Sequence, residues 1–236
     1  MRFIGAPRQP EIDQYTIKFL VGAIALGLPI VEYVLTRATG DPITSISASF
    51  WASGLWPRNI FVGSLFAVAS FLLAYNGLAE LEMWLAKVAS LCALGVAMFP
   101  SGCEPIGKEI IPGLHVASAV VLFIVLGWFC VFFMRRARAK GHREARWRAA
   151  ICGLCTAGFA AAALLFVARL ITKQEVFVLW GETAGPVFFG VSWLTASRVL
   201  PGITQPWERQ LRVVATARPA PPDRPAAPMP PGSRPV

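Results

Sequence analysis

The sequence predicts an all-α, polytopic integral membrane protein, a bundle of six transmembrane helices with one short segment at a membrane surface. Composition supports this class, because 56% of the 236 residues are hydrophobic and only 15% are charged. Soluble domains carry about 25% charged residues. The apolar residues also fall into runs that each suffice to cross about 30 Å of hydrocarbon at ~1.5 Å per residue.

Six such runs follow one another along the chain, and five or seven spans are the alternatives to this count. The first run is too long for a signal-peptide core and lacks a small-residue cleavage site, so we expect it to be retained as a span. The third run is interrupted by Lys87, whose long stem can carry its ammonium group to the nearby surface. The runs are 17–36, 60–79, 82–99, 113–134, 147–170 and 176–200.

Composition and charge predict the domain organisation and the topology. We place the bundle at 17–200, a head at 1–16 and a disordered tail, rich in Pro and Arg, at 201–236. With the N-terminus inside, seventeen Lys and Arg residues fall on the inner side and five on the outer side. By the positive-inside rule we expect a multi-pass protein of a bacterial inner membrane with both termini cytoplasmic.

The densest basic stretch, RRARAKGHREARWR at 135–148, connects the fourth and fifth spans. Such a run can bind nucleic acid, but this chain has no soluble domain with which to read one. We expect the stretch to lie on anionic headgroups, where each basic residue contributes about 1 kcal/mol of attraction. Membrane lipids are the expected partners and nucleic acid is not, while a protein partner or a second copy of the chain is left open.

The cysteines and histidines do not indicate a redox or metal centre. Cys152 and Cys155 form a CxxC pair, but it falls among small residues and is typical of filler at a helix interface. The two histidines, His115 and His142, are predicted on opposite sides of the membrane. A histidine-rich metal site is thereby excluded, and we expect neither a metal nor another cofactor.

Polar residues from four spans converge on one depth, within about 10 Å of the outer boundary at 1.5 Å per residue. Charged groups at such depth are costly and usually face the bundle interior. The group consists of either ion pairs between helices, for instance Arg58 with Glu182 or Glu32, or a pocket for a ligand or ion. The candidate ligand-binding residues are Glu32, Arg58, Asn59, His115 and Glu182.

Prolines and glycines interrupt the two spans that carry these carboxylates. Pro29 in the first span and Pro186 in the last each leave a helical carbonyl without its donor, close to the glutamate. Gly181 and Gly185 lie four residues apart and offer a smooth face for close helix packing. Packing alone explains the glycines, while the paired arrangement of proline and glutamate adds some support for a pocket.

The stretch SISASFWASGLWPRN at 45–59 separates the first two spans. Ile46 and Phe50 share an apolar side at helical spacing, whereas the serines fall elsewhere. Trp51 and Trp56 are of the type found at headgroup level. We expect a short interfacial helix or a re-entrant cap over the polar residues on the outer face.

Several segments together resemble a known kind of membrane protein: SISASF, RNIFVGSLFAVASFLLAYNG, ALGVAMFP, LHVASAVVLF and ETAGPVFFGVSWL, in this order. They are similar to a group of uncharacterised bacterial six-helix membrane proteins and, more distantly, to DRAM-like and related domain-of-unknown-function membrane families. The resemblance covers about 20–200. It implies six spans and a membrane location, and it implies no reaction or catalytic residue.

These observations favour a non-enzymatic protein with an outward-facing polar pocket for a lipid headgroup, a small polar ligand or a partner. One alternative is a membrane-embedded lipid hydrolase that uses His115 with a carboxylate. Serines, a histidine and carboxylates are all present, but the G-x-S-x-G nucleophile motif is not. Another alternative is a transporter of small solutes, which would need a polar route past Glu182 toward the inner side.

Overall fold

The computed structural model describes residues 13–102 and 109–204, so most of the predicted head and tail lies outside the described residues. Six α-helices and one short 3₁₀ helix make up the regular structure of these two ranges, and no strand occurs in them. The elements are α1 (Gln14–Ala38), the 3₁₀ helix η1 (Ser47–Trp51), α2 (Leu55–Ala74), α3 (Glu80–Met98), α4 (Leu114–Arg138), α5 (Arg143–Thr172) and α6 (Val176–Ala196).

Five of the helices, α1 to α5, are long and apolar enough to cross a membrane. The sixth, α6, has 21 residues, but its sequence includes Glu182, Pro186 and three glycines, which lower its hydropathy. The protein is therefore all-helical, and its helices are those of a multi-pass membrane protein.

The six helices close into a ring. Each helix packs against the next one in the chain, α6 returns to pack against α1, and α4 also contacts α6. Lys87 on α3 contributes to this packing at the end of the bundle. Its ammonium group donates hydrogen bonds to the carbonyls of Leu73 and Tyr75, at the end of α2, where helical carbonyls lack partners.

Close contact of α1 with α6 depends on two glycines. A Cβ atom added to Gly22 would lie 2.9 Å from the carbonyl oxygen of Gly190, and one added to Gly190 would lie 2.8 Å from that of Gly22. The two backbones thus touch where no side chain intervenes, as small residues permit in membrane helices. Gly185, predicted to give a smooth face, instead receives the ring of Phe123 from α4.

An aromatic cluster fills the bundle between its centre and one end. Trp193 of α6 is fully buried and its ring lies 5.2–5.5 Å from four neighbouring rings, mostly tilted or edge-on. Such arrangements add about 0.5–1.5 kcal/mol per pair to the burial of apolar area. The four neighbours are Tyr75, Phe129, Phe133 and Phe189.

The two ends of the ring differ in their polar residues. We call the end where α1 finishes and α2 begins the serine end. It carries Ser45, Ser47, Ser49 and Ser53 on η1 and its flanks. We call the opposite end, where α1 begins and α4 finishes, the basic end. It carries Lys18, Arg136, Lys140, Arg148 and Arg198.

Candidate functional site

A network of hydrogen bonds holds the connection between α1 and α2. The Asp41 carboxylate accepts a hydrogen bond from the Thr39 hydroxyl at 2.6 Å and two from the backbone and hydroxyl of Ser53, both at 2.7 Å. The bonds from Thr39 and Ser53 hold the pKa of Asp41 below its ordinary value. The Trp51 indole donates to the Ser101 carbonyl at 2.8 Å, which ties η1 to the end of α3. The serines of η1 are therefore fixed above the helices.

Glu182 of α6 is satisfied by Ser47. The backbone N–H of Ser47 donates to one carboxylate oxygen at 2.9 Å, and its hydroxyl donates to the other at 2.7 Å. The first N–H groups of a helix have no acceptor within the helix, and the carboxylate provides one for the N–H of Ser47. Hydrogen bonds to an ionised group are stronger than those between neutral groups. This contact joins η1 to α6 across 135 positions of sequence.

Glu32 of α1 is buried without such partners. Its residue is 1% exposed, and within the described residues neither carboxyl oxygen has a partner at hydrogen-bonding geometry. The Ser49 hydroxyl of η1 lies close enough to act on this carboxyl group. Its hydrogen is donated to the Ile46 carbonyl, at 2.6 Å, so Ser49 compensates the burial of Glu32 only in part. Buried polar groups in native proteins are nearly always hydrogen-bonded, so this exception marks a candidate site.

His115 is the third buried polar residue of the predicted set. Its Nδ1 lies 2.9 Å from the carbonyl oxygen of Phe99, and because a carbonyl only accepts, Nδ1 carries the hydrogen. The imidazole lies within electrostatic range of Glu182. His115 thereby fastens the first turn of α4 to the end of α3 and faces the same polar layer.

Arg58 and Asn59 do not join the buried group. Both are exposed at the start of α2. The Arg58 guanidinium lies over the Phe50 ring, 4.4 Å from its centroid, rather than against Glu32 or Glu182 as one interpretation of the sequence had it. Of the five predicted residues, the structure buries or half-buries Glu32, His115 and Glu182 around η1 and leaves the other two at the surface.

The described hydrogen bonds at the serine end do not form a serine–histidine relay. Ser47 donates its hydrogen to a carboxylate directly, and the described hydrogen bond of His115 goes to a backbone carbonyl. A serine nucleophile needs a histidine base within hydrogen-bond reach, and the described hydrogen bonds do not assemble that relay. The described residues also contain no group of three or more His, Cys, Asp or Glu side chains that could hold a metal ion.

The basic end contains a second polar network, centred on Glu82 of α3. Arg136 of α4 donates to both carboxylate oxygens, at 3.2 and 2.7 Å. The Tyr75 hydroxyl and the Leu78 N–H donate to the same carboxylate at 2.7 and 2.9 Å. Glu82 is 1% exposed, and four hydrogen bonds compensate its burial.

A cavity of about 240 Å³ lies beside this network. Side chains from the starts of α1 and α5 and from the ends of α4 and α6 line it. Its charged lining residues are Asp13, Lys18, Arg136, Lys140, Arg148 and Arg198.

Sequence reasoning did not identify this cavity, because its cations were read as determinants of topology. One feature of the sequence could have indicated it. Lys18 and Glu82 fall within apolar runs rather than in the connections between them, which is unusual for charged residues.

No family model matches this chain, and neither a curated protein nor a solved structure matches it. The resemblance to DRAM-like and related membrane families therefore stays a prediction.

Proposed function

We propose that this chain is a six-span protein of a bacterial inner membrane that binds a polar lipid headgroup or a similar small ligand at its serine end, without catalysing a reaction. In this proposal both termini are cytoplasmic and the serine end faces outward. The observation that carries it is Glu32, a buried carboxyl group whose two oxygens accept no well-formed hydrogen bond within the described residues.

The missing partners define the chemistry of the ligand. Burying a polar group without a hydrogen bond costs about 1–3 kcal/mol in proteins, and burying an unpaired charge costs more. A ligand that donates hydrogen bonds, above all an ammonium group, recovers this free energy. Since Ser47 already donates to both oxygens of Glu182, the acceptor without such a donor is Glu32. We therefore propose a ligand with an amine or hydroxyl headgroup.

Packing supports α6 as the sixth span despite its lower hydropathy. Gly181, Gly185 and Gly190 are buried, and α6 packs against both α1 and α5. Its less apolar residues therefore face protein rather than lipid, which membrane helices tolerate.

Exposed apolar residues support an interfacial position for the segment at 45–59. Leu55 is 74% exposed and Trp56 is 71% exposed, directly beyond η1. Tryptophan favours the headgroup level of a bilayer, and such a position would bring Glu32 within reach of headgroups. The basic residues at the opposite end favour the cytoplasmic side for that end.

The test compares lipids that differ only in what the headgroup can donate. Phosphatidylethanolamine carries an ammonium group with N–H donors, whereas phosphatidylcholine carries a quaternary ammonium group without them. We expect native mass spectrometry to show preferential retention of phosphatidylethanolamine by the intact chain. Glu32→Gln should weaken this retention about tenfold, the loss of one hydrogen bond to a charged group.

The matched control is Glu80→Gln, an exposed carboxylate at the other end of the bundle. This variant should retain phosphatidylethanolamine like the original chain. Equal retention of the two lipids by the original chain, or unchanged retention by Glu32→Gln, would show that Glu32 is simply a neutral buried acid and would overturn the proposal.

A further inference from the structure

We infer that the cavity at the basic end binds a phosphate-type anion, supplied either by a phospholipid headgroup or by a small phosphorylated solute. This site is separate from Glu32 and lies at the other end of the bundle. It carries charge of the opposite sign, and it does not depend on the function proposed for the serine end.

The charge balance of the cavity points to an anion. Five cationic side chains line it, against the single carboxylate of Asp13. Asp13 is committed to the start of α1, where its oxygens accept from the backbone of Tyr15 at 2.6 Å and from the hydroxyl of Thr16 at 3.0 Å. Arg136 is paired with Glu82, so the further cations of the lining are Lys18, Lys140, Arg148 and Arg198. Like charges gathered in a partly buried space repel each other unless an anion joins them.

Lys18 carries the inference furthest. Its residue is 4% exposed, and it lines the cavity. Its Nζ lies 5.1–5.4 Å from the ring centroids of Tyr15, Tyr75 and Phe133. Within the described ranges it forms no hydrogen bond and no close ion pair, and the carboxylates of Glu82 and Asp13 act on it only from a distance. Aromatic faces attract an ammonium group, but they supply none of the acceptors that its three N–H groups require. An oxyanion beside Lys18 supplies them.

The surrounding arginines suit an oxyanion as well. Arg148 is buried and donates to the Ile203 carbonyl at 3.1 Å, which holds its guanidinium in place. The Arg198 guanidinium lies 4.6 Å from the Tyr15 ring centroid, over its face. Stacking fixes the plane of a guanidinium and leaves its N–H groups directed sideways, a geometry that matches phosphate oxygens.

The size and position of the cavity limit which ligands it can hold. Its volume of about 240 Å³ is below the roughly 300–1,000 Å³ of pockets that take drug-sized molecules. A phosphate group with a short substituent suits this volume better than a nucleotide does. The cavity also opens at the end of a helical bundle beside many basic side chains, at the level where phospholipid phosphates lie if the helices span a membrane.

The first experiment measures the melting temperature of the full chain in a neutral detergent. Sodium phosphate is titrated against sodium chloride at equal ionic strength, so that general screening is matched. The second arm uses bilayer discs of a neutral glycolipid with and without phosphatidylglycerol. Stabilisation in both arms, or in either one, supports the inference, and the arm that responds identifies the source of the phosphate. Absence of stabilisation in both arms overturns it.

Lys18→Met keeps the apolar stem and removes the charge, and it should weaken phosphate binding by at least about tenfold. Arg198→Gln provides a second variant should Lys18→Met fail to fold, and it should weaken binding in the same direction. The control is Arg135→Gln, the same loss of charge at an exposed position of α4 next to Arg136. It should change the affinity by less than about twofold. Equal losses in all three variants would indicate a diffuse surface effect and would overturn the inference.

Discussion

The serine end and the basic end bury charge in opposite ways. At each end one carboxylate is fully compensated: Glu182 by two hydrogen bonds from Ser47, and Glu82 by four from Arg136, Tyr75 and Leu78. Each end also holds one buried acidic or basic residue for which the described residues provide no hydrogen bond, Glu32 at the serine end and Lys18 at the basic end, and the two differ in sign.

This contrast helps to distinguish buried polar groups that stabilise the fold from those that bind a ligand. The fold supplies hydrogen bonds to a buried carboxylate twice, yet within the described residues Glu32 receives none of good geometry and Lys18 lies against aromatic rings instead of acceptors. Both belong to α1, and their environments differ: hydroxyl groups surround the carboxyl group, whereas aromatic rings surround the ammonium group. An open group beside completed neighbours is a stronger indication of a site than depth in the membrane alone.

The largest effect should come from the compensated carboxylate at the basic end. Glu82→Gln removes the charge that Arg136 needs, and breaking a partly buried ion pair costs about 3 kcal/mol. Glu32→Gln, without added lipid, should leave the unfolding free energy unchanged or raise it, because no partner is lost. Unfolding in mixed micelles measures both variants. A similar cost for the two substitutions would contradict the distinction between completed and open groups.

Next in size is the contact that joins α1 to α6 between the two ends. Gly22→Ala places a Cβ atom 2.9 Å from the Gly190 carbonyl oxygen, so the helices must separate. Overpacking of this kind costs about 2 kcal/mol. Gly27→Ala on the same helix meets nothing within 4 Å and should be neutral or stabilising by up to about 1 kcal/mol, because alanine favours helix. Melting temperatures that fall equally in the two variants would argue against the close approach.

A smaller loss is expected at the compensated carboxylate of the serine end. Ser47→Ala removes the hydroxyl donor of Glu182 but keeps the backbone one, and should cost about 1.5 kcal/mol. Ser70→Ala is the control, since that exposed hydroxyl only donates to the Phe66 carbonyl of its own helix. Thermal unfolding compares the two. If Ser70→Ala destabilises the protein as much as Ser47→Ala, then Glu182 does not depend on Ser47.

The smallest effect concerns pH and the loop beside the serine end. The pKa of Asp41 is lower in the folded protein, so its contribution to stability is present above the unfolded pKa of about 3.9 and is lost as the pH falls through the folded value. Asp41→Asn should remove this acid-side decline from the melting temperature without changing it near pH 7 by much. An unaltered decline in the variant would assign it to other carboxylates.

The sequence predicted the helices well because the length of an apolar run can be read directly from the order of residues, without knowledge of how the helices pack. Each predicted run overlaps one observed helix, although α5 begins four residues before the run at 147–170 and α1 begins three before the run at 17–36. The helix starts differ from the starts of the apolar runs because polar residues such as Gln14 and Arg143 also belong to the first turns of the helices. Their caps, Asp13 and His142, are polar and lie outside the runs.

The positions of the polar residues along their helices could be predicted, but the directions of their side chains could not. Glu32, His115 and Glu182 interrupt apolar sequence, and in the structure all three lie near η1 or near each other. Whether a side chain points inward depends on helix rotation, which is why Arg58 and Asn59 could share that depth and still be exposed. For the same reason the sequence did not predict the cavity at the basic end. Lys18 differs from the other basic residues there in that its side chain lies on a buried face of its helix, and the sequence does not show how a helix is rotated.

Pro29 lies in the middle part of α1 and interrupts the backbone hydrogen bonds of this helix. Its missing N–H leaves the carbonyl of Ala25 without the usual helical donor, between the half that carries Lys18 and the half that carries Glu32. The Gly22 contact with α6 clamps only the first half. The middle of α1 is therefore the place where this helix bends most easily, and it separates the turn that packs against α6 from the turn that bears Glu32.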